Sequence, residues 1–301
     1  MMNIYQVNTI EHKNYKKYLF TEEQKELVCD LYKECGSTVT VGKKFGVGHK
    51  VIAKILEEFG IARTAASKRT YTLNEQYFDE IDTPNKAYIF GFLMADGCNN
   101  KSKCTISMSL EEKDREILDR IRMEIKSERP LEFIDYTNKH DFGYTYRNQY
   151  RLLMFSTHMC KMLERHGMVP NKSLIAEFPA LSNNLVRHFI RGLFDGDGSV
   201  YRGKYKKRNS YQHTLTITST LSMCEKLVEI VEREVKINCH IYDASNHNGI
   251  TKVFNISGRN QIKKFMDWMY QDADLFLQRK YDRYLEYFYE ENSNINNSSV
   301  A

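Results

Sequence analysis

The sequence predicts an α+β fold in which two similar halves follow a small all-α domain. Two matching segments, Tyr88–Asn99 and Phe189–Val200, open the halves, and each contains an acid followed by glycine. After each segment, stretches of helical period and of strand-like alternation follow in one shared order, αββαββα. The predicted boundaries are 1–66 for the helical domain, 67–183 and 184–291 for the two halves, and 292–301 for a disordered, Asn- and Ser-rich tail.

Three short amphipathic helices are predicted in the N-terminal domain. A capping-box pattern opens the first helix, and Gly36 ends it. Two further helices over 38–45 and 49–59 flank a glycine turn, which is typical of a helix-turn-helix unit. The alternative is a helical cap that only packs on the rest of the chain. In the first interpretation, the last helix would face a DNA groove with His49, Lys50 and Lys54.

Composition narrows the class of protein. Apolar residues make up 42% and charged residues 28%, as in ordinary globular proteins. The net charge of +5 is only mildly basic, so affinity for nucleic acid would have to come from clustered charge. The seven cysteines are scattered without a C-x-x-C pair, which indicates free thiols in a reducing compartment rather than a disulfide framework or a zinc site. With neither a signal peptide nor a membrane-spanning apolar run, a soluble cytoplasmic protein is expected.

The two repeated segments, YIFGFLMADG and FIRGLFDGDG, predict a pair of closely packed helices. On a helix, Gly91 and Ala95 lie four residues apart on one face, as do Gly192 and Gly196. Such a stripe of small residues lets two helix backbones approach closely. The glycine after the last acid of each segment is suited to a left-handed stop at the helix C-terminus.

Each of these helices would end in an aspartate, Asp96 or Asp197. The C-terminus of a helix carries partial negative charge, so an acid there is disfavoured by roughly 0.3–1 kcal/mol. Two such ends side by side add like-charge repulsion, which a divalent cation would relieve, and oxygen-only ligands favour Mg²⁺ over zinc. A calcium loop is the other interpretation. However, the twelfth position from Asp195 is Lys206 where that loop needs Glu, and the first copy has Met94 in place of the leading Asp.

The paired segments resemble the two motifs of LAGLIDADG homing endonucleases. The resemblance extends over about 71–290, and the stretch TLNEQYFDEIDTPNKAYIFGFL is similar to the lead-in of bacterial and phage members. It implies a bacterial or phage origin, curved antiparallel sheets, motif helices packed at a pseudo-twofold axis, and metal binding by Asp96 and Asp197. Met94 departs from the motif at a position that does not bind the metal in the family pattern.

Basic and aromatic side chains are interleaved in the segments that follow the motif helices. Hairpins of this composition suit a two-stranded ribbon laid in the major groove of DNA. The alternative is that these charge runs are solvated loops. The residues expected to contact DNA are Lys101, Lys103, Arg147, Arg151, Tyr201, Arg202, Lys204, Lys206, Lys207 and Arg208.

Lys172 and Lys280 follow the last strand pair of their respective halves. Members of the family with two repeats often carry a basic residue at the active site at this point. The resemblance therefore implies a catalytic role for both lysines, in which the ammonium group polarises a water or neutralises a phosphate. The alternative is that both are ordinary surface lysines.

The function implied by the resemblance is site-specific cleavage of double-stranded DNA by a monomer that uses Mg²⁺. The chain ends lack the residues of a splicing intein, so a free-standing or intron-encoded protein is expected. Two other functions stay open: an intron maturase, which would bind RNA, and a transcriptional regulator that binds DNA without cleaving it. Both tolerate loss of the motif acids, whereas this sequence keeps Asp96 and Asp197, which favours the enzyme.

Overall fold

The chain forms two compact units, Met1–Thr70 and Tyr71–Ala301, each with an apolar core of its own. The boundary predicted from the sequence is at 66, and the tail predicted over 292–301 lies outside the described residues. The computed structural model describes residues 4–12, 15–61, 71–137, 140–141, 144–169, 172–204, 211–244 and 251–289. Among these residues, no helix combines the length and apolar character needed to cross a bilayer.

The N-terminal unit combines a β-hairpin with three helices, so the prediction of an all-α domain is wrong. Its elements are β1 (Asn8–His12), β2 (Tyr15–Leu19), α1 (Glu22–Cys35), α2 (Thr38–Lys44) and α3 (His49–Glu58). The hairpin is antiparallel, with Asn8 opposite Leu19. The predicted capping box is present at Thr21 and Gln24. Because the hairpin is rich in Lys, Tyr and Asn and exposes most of its side chains, its strand pattern is weak in sequence.

The first repeat of the second unit begins with a motif helix and passes directly into a strand. Its elements are α4 (Pro84–Asp96), β3 (Gly97–Asn100), β4 (Thr105–Glu111), α5 (Arg115–Glu124), β5 (Glu132–Ile134), β6 (His140–Asp141), β7 (Tyr144–Thr145), β8 (Gln149–Phe155) and α6 (Thr157–Arg165). Thr83 caps α4 through its side chain, and Pro84 occupies the first turn, where its missing N–H is not needed.

The second repeat has the same order of elements and one additional helix. Its elements are α7 (Asn183–Asp197), β9 (Gly198–Lys204), β10 (Tyr211–Ser219), α8 (Leu221–Val235), β11 (His240–Asp243), β12 (Lys252–Ser257), α9 (Arg259–Tyr270) and α10 (Gln278–Phe288). The additional helix α10 carries Lys280 in its first turn.

The two sheets share one topology. In the first repeat the strand order is β3-β4-β8-β5, and in the second it is β9-β10-β12-β11, with every pair antiparallel. In each repeat the first, second, fourth and third strands therefore lie side by side. The hairpin β6-β7 is an addition to the first repeat. The predicted α+β fold with helices and antiparallel sheets in both halves is confirmed.

The motif helices α4 and α7 pack against each other through their small residues. A Cβ added at Gly91 would lie 2.1 Å from the carbonyl oxygen of Phe189, and one added at Gly192 would lie 2.0 Å from the carbonyl oxygen of Tyr88. At Gly196 an added Cβ would lie 2.2 Å from the Cβ of Ala95. Backbone thus meets backbone at Gly91 and Gly192, whereas Gly196 faces the side chain of Ala95. The structure brings the four small residues together.

The glycine after each motif helix does not adopt the predicted left-handed stop. Gly97 has φ −81° and ψ 153°, and Gly198 has φ −92° and ψ 156°, so both are extended. The reason is that each helix continues straight into a strand. Glycine is still required, because an added Cβ would lie 2.5 Å from the carbonyl oxygen of Leu93 or of Phe194.

Candidate active site at the ends of the motif helices

The close approach of α4 and α7 brings Asp96 and Asp197 to one cleft. A Cβ built on Gly196, the residue before Asp197, would lie 3.2 Å from the Oδ2 atom of Asp96. Both side chains reach solvent at the mouth of the cleft. The protein around them nevertheless limits their hydration, and this burial raises the pKa of Asp96. Burial, followed by the charge of Asp96, raises the pKa of Asp197 to about 6.

Each aspartate is accompanied by one of the two predicted lysines. Lys172 Nζ donates to the carbonyl oxygens of Ala95 at 3.1 Å and Gly97 at 2.8 Å. Lys280 Nζ donates to those of Phe194 at 2.5 Å and Gly198 at 2.6 Å. Both lysines are buried, and each ammonium group binds two carbonyl groups at the point where its motif helix passes into a strand.

The two lysines and the motif aspartates influence one another electrostatically. Burial lowers the pKa of Lys172, against the opposing charges of Asp197 and Asp96. Burial also lowers the pKa of Lys280, to about 8, against the charges of Asp195, Asp96 and Asp197. The interpretation of both residues as surface lysines is therefore wrong, since each ammonium group is buried at the end of a motif helix.

The second motif helix carries a buried polar pair that the first lacks. Arg191 and Asp195 occupy the places that Phe90 and Met94 occupy in α4. The Oδ2 atom of Asp195 accepts a hydrogen bond from the Tyr88 hydroxyl at 2.8 Å and another from the Leu277 N–H at 2.7 Å.

Arg191 extends this polar cluster to the segment that leads into α10. Its side chain donates to the carbonyl oxygens of Leu275 at 2.8 Å and Met269 at 3.0 Å. The guanidinium also lies over the Tyr88 ring, 5.1 Å from the centroid. Together with Asp195, Arg191 holds the chain segment that places Lys280 in the site.

The donor set of the cleft fits a magnesium ion. Mg²⁺ is usually bound by one or two carboxylates, with water and substrate phosphate completing the octahedron. Asp96 and Asp197 supply two carboxylates whose mutual repulsion a dication would relieve. Within the described part of the chain no cluster of three or more His, Cys, Asp or Glu side chains could hold a metal by itself.

Each sheet turns one face towards its helices and leaves the other face uncovered. In β10 the helix-facing residues His213, Leu215 and Ile217 are buried, whereas the intervening residues are not. Tyr201 is 62% exposed and lies opposite Thr214, on the uncovered face. In the first repeat the uncovered face includes Arg151, whose Nε atom donates to Ser109 Oγ at 3.0 Å.

Several residues predicted to contact DNA lie elsewhere. Arg202 is on the helix-facing side of its strand, where its guanidinium lies over the rings of Tyr211, 4.0 Å from the centroid, and Tyr287. The physical reason is strand alternation, which puts Tyr201 and Arg202 on opposite faces. Lys204 lies two residues after Arg202, on the same face of the strand, and is exposed at the end of β9. The predicted contacts Lys206, Lys207 and Arg208 lie outside the described residues.

The remaining predicted contacts of the first repeat lie in its loops. Lys101 and Lys103 form the turn between β3 and β4, and Lys101 pairs with Glu164 at 3.1 Å. Arg147 precedes β8 and pairs with Glu111 at 3.1 Å.

Sequence reasoning missed the polar residues on the uncovered face of the second sheet. They are Ser199, Gln212, Thr214, Thr216, Thr218, His240 and Ser257, which alternate with helix-facing neighbours or lie opposite one another in the strand register. The sequence signal for this face is the alternation of Thr with Leu and Ile in YQHTLTITS, which carries no charge.

The N-terminal unit presents its predicted contact residues to solvent. His49, Lys50 and Lys54 are exposed on α3. The four-residue turn between α2 and α3 contains Gly46 with φ +65°, a left-handed conformation that favours glycine. A Cβ at Gly42 would lie 2.6 Å from the carbonyl oxygen of Val47, so glycine lets the two helices close on this turn.

The site thus consists of two abutting helices that end in paired aspartates, and it lies beside two sheets of equal topology. Residues 184–268 match the family model described as LAGLIDADG-like domain, and the chain carries this domain in its second repeat. The resemblance found in the sequence motifs is thus confirmed, while the helix-turn-helix assignment stays a prediction.

Solved structures with similarity to this chain include two meganucleases and one other protein. Meganuclease I-SmaMI bound to uncleaveable DNA is 12% identical, with a TM-score of 0.47, over 71% of this chain and 93% of that chain. Meganuclease I-AabMI bound to uncleaved DNA is 14% identical, with a TM-score of 0.46, over 72% of this chain and 92% of that chain. Full-length DUF199/WhiA from Thermatoga maritima is 18% identical, with a TM-score of 0.43, over 74% and 70% of the two chains.

A curated protein with similarity to this chain is the DNA-directed RNA polymerase subunit Rpo1C of Methanocaldococcus jannaschii. It is 26% identical over 177 residues, which make up 55% of this chain. The chain spans only about a fifth of that protein's length, with 20% covered.

Proposed function

We propose that this protein is a site-specific endonuclease that binds double-stranded DNA as a monomer and hydrolyses both strands with Mg²⁺. The observation that carries this proposal is the meeting of Asp96 and Asp197 in one cleft at the ends of two helices joined backbone to backbone. The two sheets offer uncovered polar faces of matching topology, which suits two half-sites of one duplex.

In this proposal the chemistry is divided among a few residues. Asp96 and Asp197 would hold Mg²⁺, which when bound supplies Lewis acidity to a phosphoryl oxygen and lowers the pKa of a bound water. Lys172 and Lys280 fix the helix ends that carry the aspartates, because each Nζ already donates to two carbonyl oxygens. One N–H of each ammonium group is left for a phosphate oxygen.

The N-terminal unit would lengthen the DNA contact. Its exposed α3 carries His49, Lys50 and Lys54, and a helix presented by a short glycine turn suits the major groove. The alternative partner is RNA, which would give the protein a maturase role, and rescue of intron splicing distinguishes it.

The test uses a target selected from a library of randomised duplexes, first for binding and then for cleavage with Mg²⁺. Asp96→Asn and Asp197→Asn should retain binding and lower cleavage by more than the roughly 100-fold that loss of an outer-sphere partner causes. Asp282→Asn, at an exposed site on α10, serves as the control and should cleave normally. Tight binding by the unmodified protein without cleavage would instead indicate a non-cleaving regulator, and rescue of intron splicing would indicate a maturase.

A further inference from the structure

A second buried carboxylate lies close to the cleft and holds an arginine. Arg279, in the first turn of α10, places its Nε atom 3.0 and 2.9 Å from the two carboxylate oxygens of Asp114. Asp114 comes from the first repeat, at the start of α5, and its side chain is only 6% exposed. A carboxylate this well buried needs a charged partner, and Arg279 supplies it across the two repeats.

The remaining donors of Arg279 are unused. The side chain is 43% exposed, and its two terminal nitrogens make no hydrogen bond to any other residue that the structure describes. A guanidinium has five N–H donors in a planar fork, so four of them remain for a ligand. The neighbouring Lys280 differs, because its ammonium group is buried and already donates to Phe194 and Gly198.

Arg279 places these free donors close to the cleft of the motif aspartates. Arg279 and Lys280 are consecutive on α10, and Lys280 reaches the carbonyl of Gly198, next to Asp197. The charge of Arg279 is also among those that lower the pKa of Asp96, after Lys280 and Lys172 and against the dominant effect of burial. The guanidinium therefore lies within electrostatic reach of Asp96.

We propose that Arg279 is a phosphate-binding residue of this site. Asp114 fixes the guanidinium through Nε, and the terminal N–H groups bind a backbone phosphate of the DNA strand beside the cleft. Arginine suits this role because its planar fork matches two oxygens of one phosphate. The inference rests on the proposed function for the identity of the ligand. This phosphate contact would occur in only one of the two DNA half-sites. The residue that precedes Lys172 in the first repeat is Asn171, which has no guanidinium group.

The competing interpretation is that Arg279 only joins the two repeats. Four variants of the full chain separate the interpretations: Arg279→Ala, Arg279→Lys, Asp114→Asn and Arg283→Ala. Arg283 is exposed one turn further along α10 and serves as the matched control. Affinity for a mixed-sequence duplex is measured by fluorescence anisotropy from 50 to about 300 mM salt, a range in which phosphate contacts dominate. Thermal unfolding is recorded in parallel.

For phosphate binding, Arg279→Ala should lower the slope of log K against log salt by about 0.9, the value of one lost phosphate contact. Arg279→Lys should keep the slope and weaken binding, since the charge remains and the fork is lost. Asp114→Asn should weaken binding less than Arg279→Ala, and Arg283→Ala should match the unmodified protein. If Arg279→Ala lowers only the unfolding temperature and leaves the slope and affinity unchanged, the inference is wrong.

These outcomes are distinct from the failure of the proposed function. An unmodified protein that binds DNA without cleaving it, and whose slope still falls in Arg279→Ala, would keep the phosphate contact and remove the endonuclease. If the unmodified protein cleaves DNA and Arg279→Ala leaves the salt slope unchanged, the endonuclease function stands and the phosphate contact of Arg279 is excluded. Should Arg279→Ala not fold, the comparison of Arg279→Lys with the control decides the matter by affinity alone.

Discussion

Single glycines set the distance between the motif helices. At Gly192 a methyl group would lie 2.0 Å from the carbonyl oxygen of Tyr88, a backbone atom that cannot rotate away. Gly192→Ala should therefore force α4 and α7 apart and lower the free energy of unfolding by more than about 3 kcal/mol. Urea denaturation followed by circular dichroism measures this loss.

The control for this prediction is Gly48→Ala in the N-terminal unit. Gly48 has φ −70° and open space around its Cβ position, so its replacement should cost no more than about 1 kcal/mol, the usual loss when alanine occupies an N-cap. Equal effects of the two substitutions would contradict the account of the helix pair.

The sequence predicts those site residues that are marked by a pattern in their own segment of the chain. Asp96 and Asp197 are recognisable because acid, glycine and helical period occur together in each motif. The roles of Arg191 and Asp195 could not be predicted, because their partners, such as Tyr88 and Leu277, come from distant parts of the chain. The helix-facing position of Arg202 could not be predicted, because charge alone does not tell which face of a strand a residue occupies.

The helix α10 depends on a polar anchor in another helix. Asp195 accepts the N–H of Leu277, the residue before α10, and Lys280 follows within the first turn. Asp195→Met, which installs the residue found at the matching position 94, removes this bond and leaves the Tyr88 hydroxyl without its acceptor. We expect a loss of about 1–3 kcal/mol in the free energy of unfolding.

The more specific measurement is amide hydrogen exchange across the start of α10. In Asp195→Met the Leu277 amide should exchange about tenfold faster or more than in the unmodified protein, because local opening becomes easier there. The amides of α5 should keep their rates. Asp282→Asn, on the exposed side of α10, is the matched variant and should leave the Leu277 amide unchanged. Unchanged exchange in Asp195→Met would show that Asp195 does not anchor α10.

Elements with strong periodicity were predicted closely, and elements that depend on pairing were not. The helix over 221–235 and the strand over 149–155 have the predicted bounds, since a clear apolar pattern determines each. The hairpin β1-β2 was missed because its pattern is weak and its strands are defined by each other. The left-handed stop at Gly97 was wrong because the next strand, β4, pairs with Gly97–Asn100 and holds these residues extended.

The whole molecule consists of two units that can be tested separately. Each has its own buried core, with Val28, Val41 and Ile52 in the first and the motif helices in the second. The second unit should therefore fold without the first, and removal of residues 1–70 provides a direct test of what the first unit contributes.

Deletion of residues 1–70 should weaken binding to duplex DNA and reduce its salt dependence, because exposed cations of α3 such as Lys50 and Lys54 are lost with the unit. Each phosphate contact that disappears should lower the slope of log K against log salt by about 0.9. The full chain with Lys50→Ala and Lys54→Ala serves as the matched variant, and its slope should lie between those of the intact and shortened proteins. Cleavage of DNA at saturating protein should persist in the shortened chain, since Asp96 and Asp197 remain. An affinity and slope equal to those of the intact protein would mean that the N-terminal unit does not contact DNA.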